Sequence, residues 1–245
     1  MKKERLDKLL NSKGLAESRE RAKRLILAGL VIVNEQKIDK AGTLVPEDAD
    51  IRLLGQEHPY VSRGGVKLER ALQAFHIDPT DTIALDIGAS TGGFTDCLLQ
   101  HGAKKVYAVD VGYGQLAWKL VTDPRVIRLE RTNVRHLSPD DFSEQMDIAT
   151  IDLSFISLTK ILVPVNALLK PQADIIVLVK PQFEVGKGEV GKGGIVKSAK
   201  KHQQVIEKIR EYAESIGLIV RGLIESPIKG AKGNTEFLMC LTHTP

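Results

Sequence analysis

Apolar positions along the chain recur with two different periods. Near the start, Leu6, Leu9 and Leu10, then Ala22, Leu25 and Ile26, follow helical spacing, with Asn11-Ser12-Lys13-Gly14 between the two groups. Ser18 ahead of Arg19-Glu20-Arg21 reads as an N-cap, so two short helices are predicted there. Strand-like runs follow at 31–34, 37–38 and 51–54, and Gly55-Gln56-Glu57-His58-Pro59 is a polar, proline-punctuated break. Beyond it, helical runs alternate with short apolar runs. The pattern predicts a helix through Phe75, a strand over 83–86, a helix through Leu99, a strand ending at Asp110 and a short helix over 115–121. Strands over 126–129 and 146–151, a helix over 158–169, a strand over 175–179, a helix over 198–216 and strands over 218–225 and 236–241 complete it.

The run Ile175-Ile176-Val177-Leu178-Val179 has no polar alternation, as expected of a strand buried on both faces. Strands alternating with helices predict an α/β fold with a parallel sheet covered on both sides. The last two strands have no helix between them and are expected to be antiparallel. The expected division is a small α+β domain over 1–56, a linker over 57–62 and the α/β domain over 63–245.

Composition narrows the class only a little. At 245 residues, 42% hydrophobic and 27% charged, the chain suits a soluble globular protein of one large and one small domain. Two distant cysteines, Cys97 and Cys240, read as reduced thiols, and no His or Cys cluster suggests a metal. No apolar run reaches the roughly 18 residues that cross a bilayer, and the N-terminus does not read as a signal peptide, so a cytoplasmic location is expected. Charge placement says more than its total. The whole chain carries +4, yet residues 1–24 hold nine cations against four acids, a net +5. A basic helical pair suits a phosphate backbone, and the absence of aromatics there argues against base stacking.

The candidate chemistry gathers on residues 83–110, a strand, a glycine-rich turn, a helix and a second strand. The turn reads Gly88-x-x-x-Gly92-Gly93 with Asp86 two residues ahead, which is not the dinucleotide fingerprint. A carboxylate beside a pyrophosphate would repel it, so a cofactor with a positive centre and no phosphate is expected; S-adenosylmethionine is one. Ligands of such sheets lie at the carboxyl ends of the strands, where Asp86, Asp110, Asp152 and Lys180 fall. Asp110 stands at the distance of an acid that grips a ribose diol. Expected cofactor contacts are Asp86, Gly88, Ala89, Ser90, Thr91, Gly92, Gly93, Phe94, Asp110, Val111, Asn133, Val134 and Asp152. Lys180 emerges from a dry strand and could deprotonate a hydroxyl or hold a developing alkoxide. Lys67, in the unfavourable first turn of its helix, is kept for some reason other than helix stability. Residues 186–193 fall short of a nucleoside triphosphate loop, since Gly193 stands where Ser or Thr would bind magnesium. That stretch reads as a flexible basic loop.

Two resemblances tie these readings together. RLDKLLNSKGLAESRERAKRLILAGLVIVNEQKIDKAGTLV resembles the small RNA-binding module first known from ribosomal small-subunit protein four. It implies RNA contacts by Lys3, Arg5, Arg19, Arg21, Lys23 and Arg24, joined by Arg63 after the linker. DIGASTGGFTD, the strand-end Asp152, VKP at Lys180 and NTEF at Glu236 resemble the FtsJ-type ribose 2′-O-methyltransferases. Their Rossmann-like seven-stranded methyltransferase sheet carries a lysine–aspartate–lysine–glutamate tetrad, here Lys67, Asp152, Lys180 and Glu236. Together the two parts resemble the TlyA family, whose members methylate cytidine 2′-hydroxyls in ribosomal RNA, with S-adenosylmethionine as cofactor and ribosomal RNA or a ribosomal subunit as partner. The chain is similar to the family's short form, associated with large-subunit RNA; a monomer is expected. Competing readings are an assembly factor with a vestigial site and, since many members are labelled hemolysins, a membrane-active protein; no barrel repeat or strongly apolar amphipathic helix favours the latter.

Overall fold

The computed structural model describes residues 3–16, 18–53, 58–186 and 188–243, so Leu54 of the run expected over 51–54, Glu57 of the expected linker and Lys187 of the basic loop lie outside the described residues. The chain divides into two compact units, Met1–Pro59 and Tyr60–Pro245.

The first unit holds β1 (Lys3–Arg5), α1 (Leu6–Ser12), α2 (Arg19–Leu27), β2 (Val31–Val33), β3 (Gln36–Ile38), β4 (Leu44–Pro46) and β5 (Ile51–Leu53). Ser18 caps α2, its Oγ accepting from the Arg21 N–H at 3.1 Å. Asn34 and Glu35 both take positive φ, the pattern of a tight two-residue hairpin between β2 and β3. Leu6, Leu10, Ala22, Ile26 and Val31 are fully buried and form the unit's own small core. Strands β1 and β4 pair antiparallel and have no counterpart among the expected elements. Lys3-Glu4-Arg5 is charged throughout, so hydrophobic periodicity gives no sign of it.

The second unit holds α3 (Gly64–Phe75), β6 (Ile83–Ile87), α4 (Gly93–Gln100), β7 (Lys105–Val109), α5 (Trp118–Val121), β8 (Val126–Leu129), β9 (Met146–Ile151), α6 (Leu162–Asn166), β10 (Leu169–Val179), α7 (Pro181–Glu184), α8 (Ala199–Ser215), β11 (Leu218–Glu225) and β12 (Phe237–His243). Among the described residues these strands form one seven-stranded sheet in the order β11-β12-β10-β9-β6-β7-β8. Only β12 runs against its neighbours, pairing antiparallel with both β10 and β11. Alternate residues serve the two faces. Ala84, Val106, Ile148, Ile176 and Leu238 pack with α3 and α4, whereas Leu85, Val109, Ala149, Ile175 and Met239 pack with α6 and α8.

The helix expected over 158–169 is a correction. A 3-10 turn at Leu158–Lys160 leads into the single short helix α6, and Leu169 already belongs to β10, opposite Met146. Ile161, Val163, Pro164 and Val165 explain it: β-branched residues and a proline are poor at extending a helix. The chain order crosses from one side of β6 to the other between β8 and β9, so the sheet's switch point lies at the carboxyl ends of β6 and β9. A crevice forms there.

Candidate active site

A cavity of about 260 Å³ opens at that switch point. Its floor is Gly88 to Thr91 with Gly93 and Phe94, Gly92 not lining it, and its walls include Ser62, Arg63, Gly64 and Lys67 of the α3 entry, Asp152 after β9, and Ile228, Lys229 and Gly230 ahead of β12. Two glycines make the close approaches. Gly88 has φ +82°, and a Cβ on it would strike the Asp152 carbonyl. A Cβ on Gly93 would strike Ser62 Oγ and crowd the Gly65 N–H, so the starts of α3 and α4 meet only because that residue has no side chain.

Four charged side chains from distant parts of the sequence form two ion pairs here; Lys67 and Asp152 line the cavity, and their partners Glu236 and Lys180 are outside its lining. Lys67 Nζ lies 2.6 Å from Glu236 Oε2, with both side chains almost wholly buried. Lys180 Nζ lies 2.5 Å from Asp152 Oδ1 and donates to Ser154 Oγ at 3.1 Å. Glu236 leaves no room behind it, since a Cβ on Gly230 would occupy its carboxylate. The turn is closed by bonds from Gly230 N–H to the Asn234 carbonyl and from Ser226 N–H to the Glu236 carbonyl, each 2.9 Å.

Asp110 stands at the end of β7, where its two carboxylate oxygens accept from the backbone N–H groups of Ser90 at 2.8 Å and Gly112 at 2.7 Å. It borders a second, small depression shared with Ala89, Ser90, Gly112, Gln115 and Glu130. The other expected contacts divide. Ala89, Ser90, Thr91, Gly93 and Phe94 line the main cavity with Gly88 and Asp152. Asn133 instead caps the turn Val134–His136, accepting from Arg135 N–H at 3.1 Å, Val134 is buried in the core, and Val111 is exposed; none of the three borders either hollow.

Asp86 departs most from the sequence reading. Its side chain is fully buried behind the turn and does not line the cavity. It accepts from Thr95 Oγ1 at 2.6 Å and Thr150 Oγ1 at 2.9 Å. Burial pushes its carboxyl up to about 6 against the pull of those hydroxyls. The carboxylate that faces the cavity is Asp152.

Sequence reasoning missed Ser62, Ile228, Lys229 and Gly230, whose only signal is their place beside Arg63 and the NTEF stretch. It also missed Phe155. That side chain is 90% exposed at φ +66°, with its ring 4.9 Å from Phe183 and the Lys180 ammonium 6.0 Å from the latter's centre.

In the first unit, Lys3, Arg5, Arg19, Arg21 and Arg24 are exposed and Lys23 is half-buried. Arg5 and Arg19 share a partner: the buried Asp7 carboxylate accepts from Arg5 Nε and Nη2 at 3.0 Å each and from Arg19 Nη2 at 3.1 Å. The Arg5 hydrogen bonds, with those of Arg19, hold the Asp7 carboxyl down to about 2. Among the described residues no group of His, Cys, Asp and Glu side chains could hold a metal ion, and no helix is long and apolar enough to cross a membrane.

Residues 60–243 match the FtsJ-like methyltransferase family and residues 4–51 the S4 domain. A Bacillus subtilis (strain 168) protein, YqxC, carried as a candidate rRNA methyltransferase, is 54% identical over 100% of this chain and 87% of its own. The 16S/23S rRNA (cytidine-2′-O)-methyltransferase TlyA of Mycobacterium tuberculosis (strain ATCC 25618 / H37Rv) is 44% identical over 97% of this chain and 89% of its own. A solved structure of a candidate hemolysin from Streptococcus thermophilus superposes with a TM-score of 0.78 at 48% identity, covering 100% of this chain and 90% of that one. The chain belongs to the FtsJ-like methyltransferase family, in the TlyA group that carries an S4 domain ahead of the methyltransferase unit.

Proposed function

We propose that this protein transfers a methyl group from S-adenosylmethionine to the ribose 2′-hydroxyl of a cytidine in ribosomal RNA, acting in the cytoplasm. The observation that carries this reading is that Lys67 and Asp152 line one cavity with the glycine turn, each ion-paired to a second charged residue, Glu236 and Lys180. The cavity suits the donor: small residues bring backbone close to it, Asp152 sets a carboxylate toward a positive group, and Asp110 stands at the second depression for a ribose diol. When bound, the donor supplies a methyl group on a positively charged sulfur, which needs no further activation.

The chain's own residues then have to place and prepare the hydroxyl. Lys180 has three N–H donors; Ser154 Oγ accepts from one of them, and Asp152 is its ion-pair partner. A further N–H can hold the hydroxyl oxygen and steady the charge that develops as its proton passes to solvent water. Lys67 adds positive charge at the same rim, and Glu236 fixes where it sits. Alignment in a partly dry pocket supplies much of the remaining rate. Beside it, the exposed Phe155 ring offers a face on which a base can stack. The S4 domain binds the RNA through phosphates, with Arg5 and Arg19 held ready by Asp7 and Arg63 contributing at the cavity wall. The relative named for cytidine 2′-O-methylation supports the choice of substrate.

The test is transfer of labelled methyl groups to ribosomal RNA, offered free and as assembled subunits. Lys180→Ala should lower turnover at least about 100-fold while cofactor affinity is kept. A variant with full activity contradicts the role given to Lys180.

A further inference from the structure

On this reading, the reactive parts arrive on two neighbouring loops. Residues 152–158, after β9, carry Asp152, Ser154 and Phe155; residues 180–184, after β10, carry Lys180 and Phe183. The Asp152–Lys180 ion pair, the Lys180–Ser154 hydrogen bond and the Phe155–Phe183 ring contact all join one loop to the other.

Glu184 lies outside the cavity lining and is 5% exposed. Its Oε2 accepts from Ser157 Oγ at 2.6 Å and its Oε1 from the Leu158 N–H at 2.7 Å, both on the facing loop. Lys208 of α8 completes the set, with Nζ 2.8 Å from the Glu184 carbonyl and 3.3 Å from Oε2. A buried carboxylate is costly unless its oxygens are fully engaged, and these engage one short segment of the facing loop. The same four-residue helix that ends in Glu184 begins directly after Lys180. A shift of Ser157 against Glu184 is therefore passed along four or five residues of each segment to Asp152 against Lys180.

We propose that Glu184 is a positioning residue for methyl transfer: through Ser157 and Leu158 it locks the two loops in the register that lets Asp152 and Lys180 meet. The inference rests on the function proposed above. A plain structural staple would cost stability alone, whereas a register lock acts on turnover in the folded protein. Displacements of about 1 Å at reacting groups cost about 100-fold in rate. Glutamine at 184 keeps the volume and can accept from the Leu158 N–H, but it carries no charge to match Lys208 and presents an amide rather than a second acceptor to Ser157.

The experiment compares Glu184→Gln, Ser157→Ala and the double variant in the full-length chain, by steady-state methyl transfer to ribosomal RNA, cofactor titration and amide hydrogen exchange. Each single variant should lower kcat about tenfold or more, with KM for RNA and cofactor Kd within about twofold. The double variant should be no slower than the slower single, because both break the same lock. Exchange should quicken at 153–158 in Glu184→Gln and stay unchanged at 88–93. Near-normal kcat in both singles, or losses that multiply in the double, overturn the proposal. Should Glu184→Gln fail to fold, Ser157→Ala tests the same contact from the other side. A wild-type chain that methylates no RNA overturns the functional reading instead, and hydrogen exchange still reads the lock.

Discussion

Both units pair cations with carboxylates, and they do so in opposite ways. In the S4 unit Asp7 is buried while its partners Arg5 and Arg19 keep 48% and 44% of their side chains exposed. At the candidate active site of the methyltransferase unit the cations themselves are withdrawn: Lys67 keeps 11% and Lys180 12%. An exposed guanidinium can turn part of its donor fork to a phosphate while the carboxylate holds the rest. A withdrawn ammonium is largely shut off from water, in surroundings where its charge is less screened. One arrangement suits holding RNA of many sequences, the other suits acting on one atom.

The units also differ in how they keep a buried aspartate. Asp7 is engaged by two guanidiniums and is held down to about 2; Asp86 has two threonine hydroxyls and is pushed up to about 6 by burial. The unfolded value for both lies near 4. Asp7 therefore contributes stability that is complete above about pH 4 and is lost as pH falls toward 2. For Asp86 the sign is reversed: its contribution is complete below about pH 4 and is lost as pH rises through about 6.

The comparison can be broken most forcefully at the arginines. Arg5→Ala with Arg19→Ala should weaken RNA binding about 10-fold to 100-fold and lower the salt slope by about 2, while turnover at saturating RNA stays near normal. A large loss of turnover at saturation would mean that the two units do not divide binding from chemistry. Asp7→Asn should destabilise the S4 unit by about 2 kcal/mol at pH 7 and flatten its acid transition between about pH 4 and 2, followed by circular dichroism. An unchanged acid transition would show that the carboxylate is not the anchor. The smallest effect is expected at Asp86→Asn, which should raise the melting temperature of the methyltransferase unit by about 3 °C at pH 8 and leave it nearly unchanged at pH 4. Equal losses at both values would contradict the raised carboxyl at that site.

Much of this was legible in the residues. The glycine turn, the strand-end position of Asp110, Asp152 and Lys180, and the doubly covered sheet follow from apolar runs whose ends are polar. Lys67 and Glu236, 169 positions apart, are brought together by the placement of β12 beside β10, which their local sequence does not encode; the family resemblance supplied that pairing. Asp86 was misread because its spacing from Gly88 is the same whether its side chain faces a ligand or Thr95 and Thr150. Alternation along a strand decides that, and β6 is buried on both faces, so the pattern carries no alternation. Strand β1, three charged residues, left no apolar trace, and its partner β4 is only the short run Leu44-Val45-Pro46.

The central claim is that the two lysine–carboxylate pairs methylate a ribose hydroxyl of ribosomal RNA. Nucleoside mass spectrometry of ribosomal RNA tests it most directly, on cells with the protein, without it, and with Lys180→Ala in its place. The account predicts 2′-O-methylcytidine at a defined position in the first and its loss in the other two. Identical methylation in all three would contradict it.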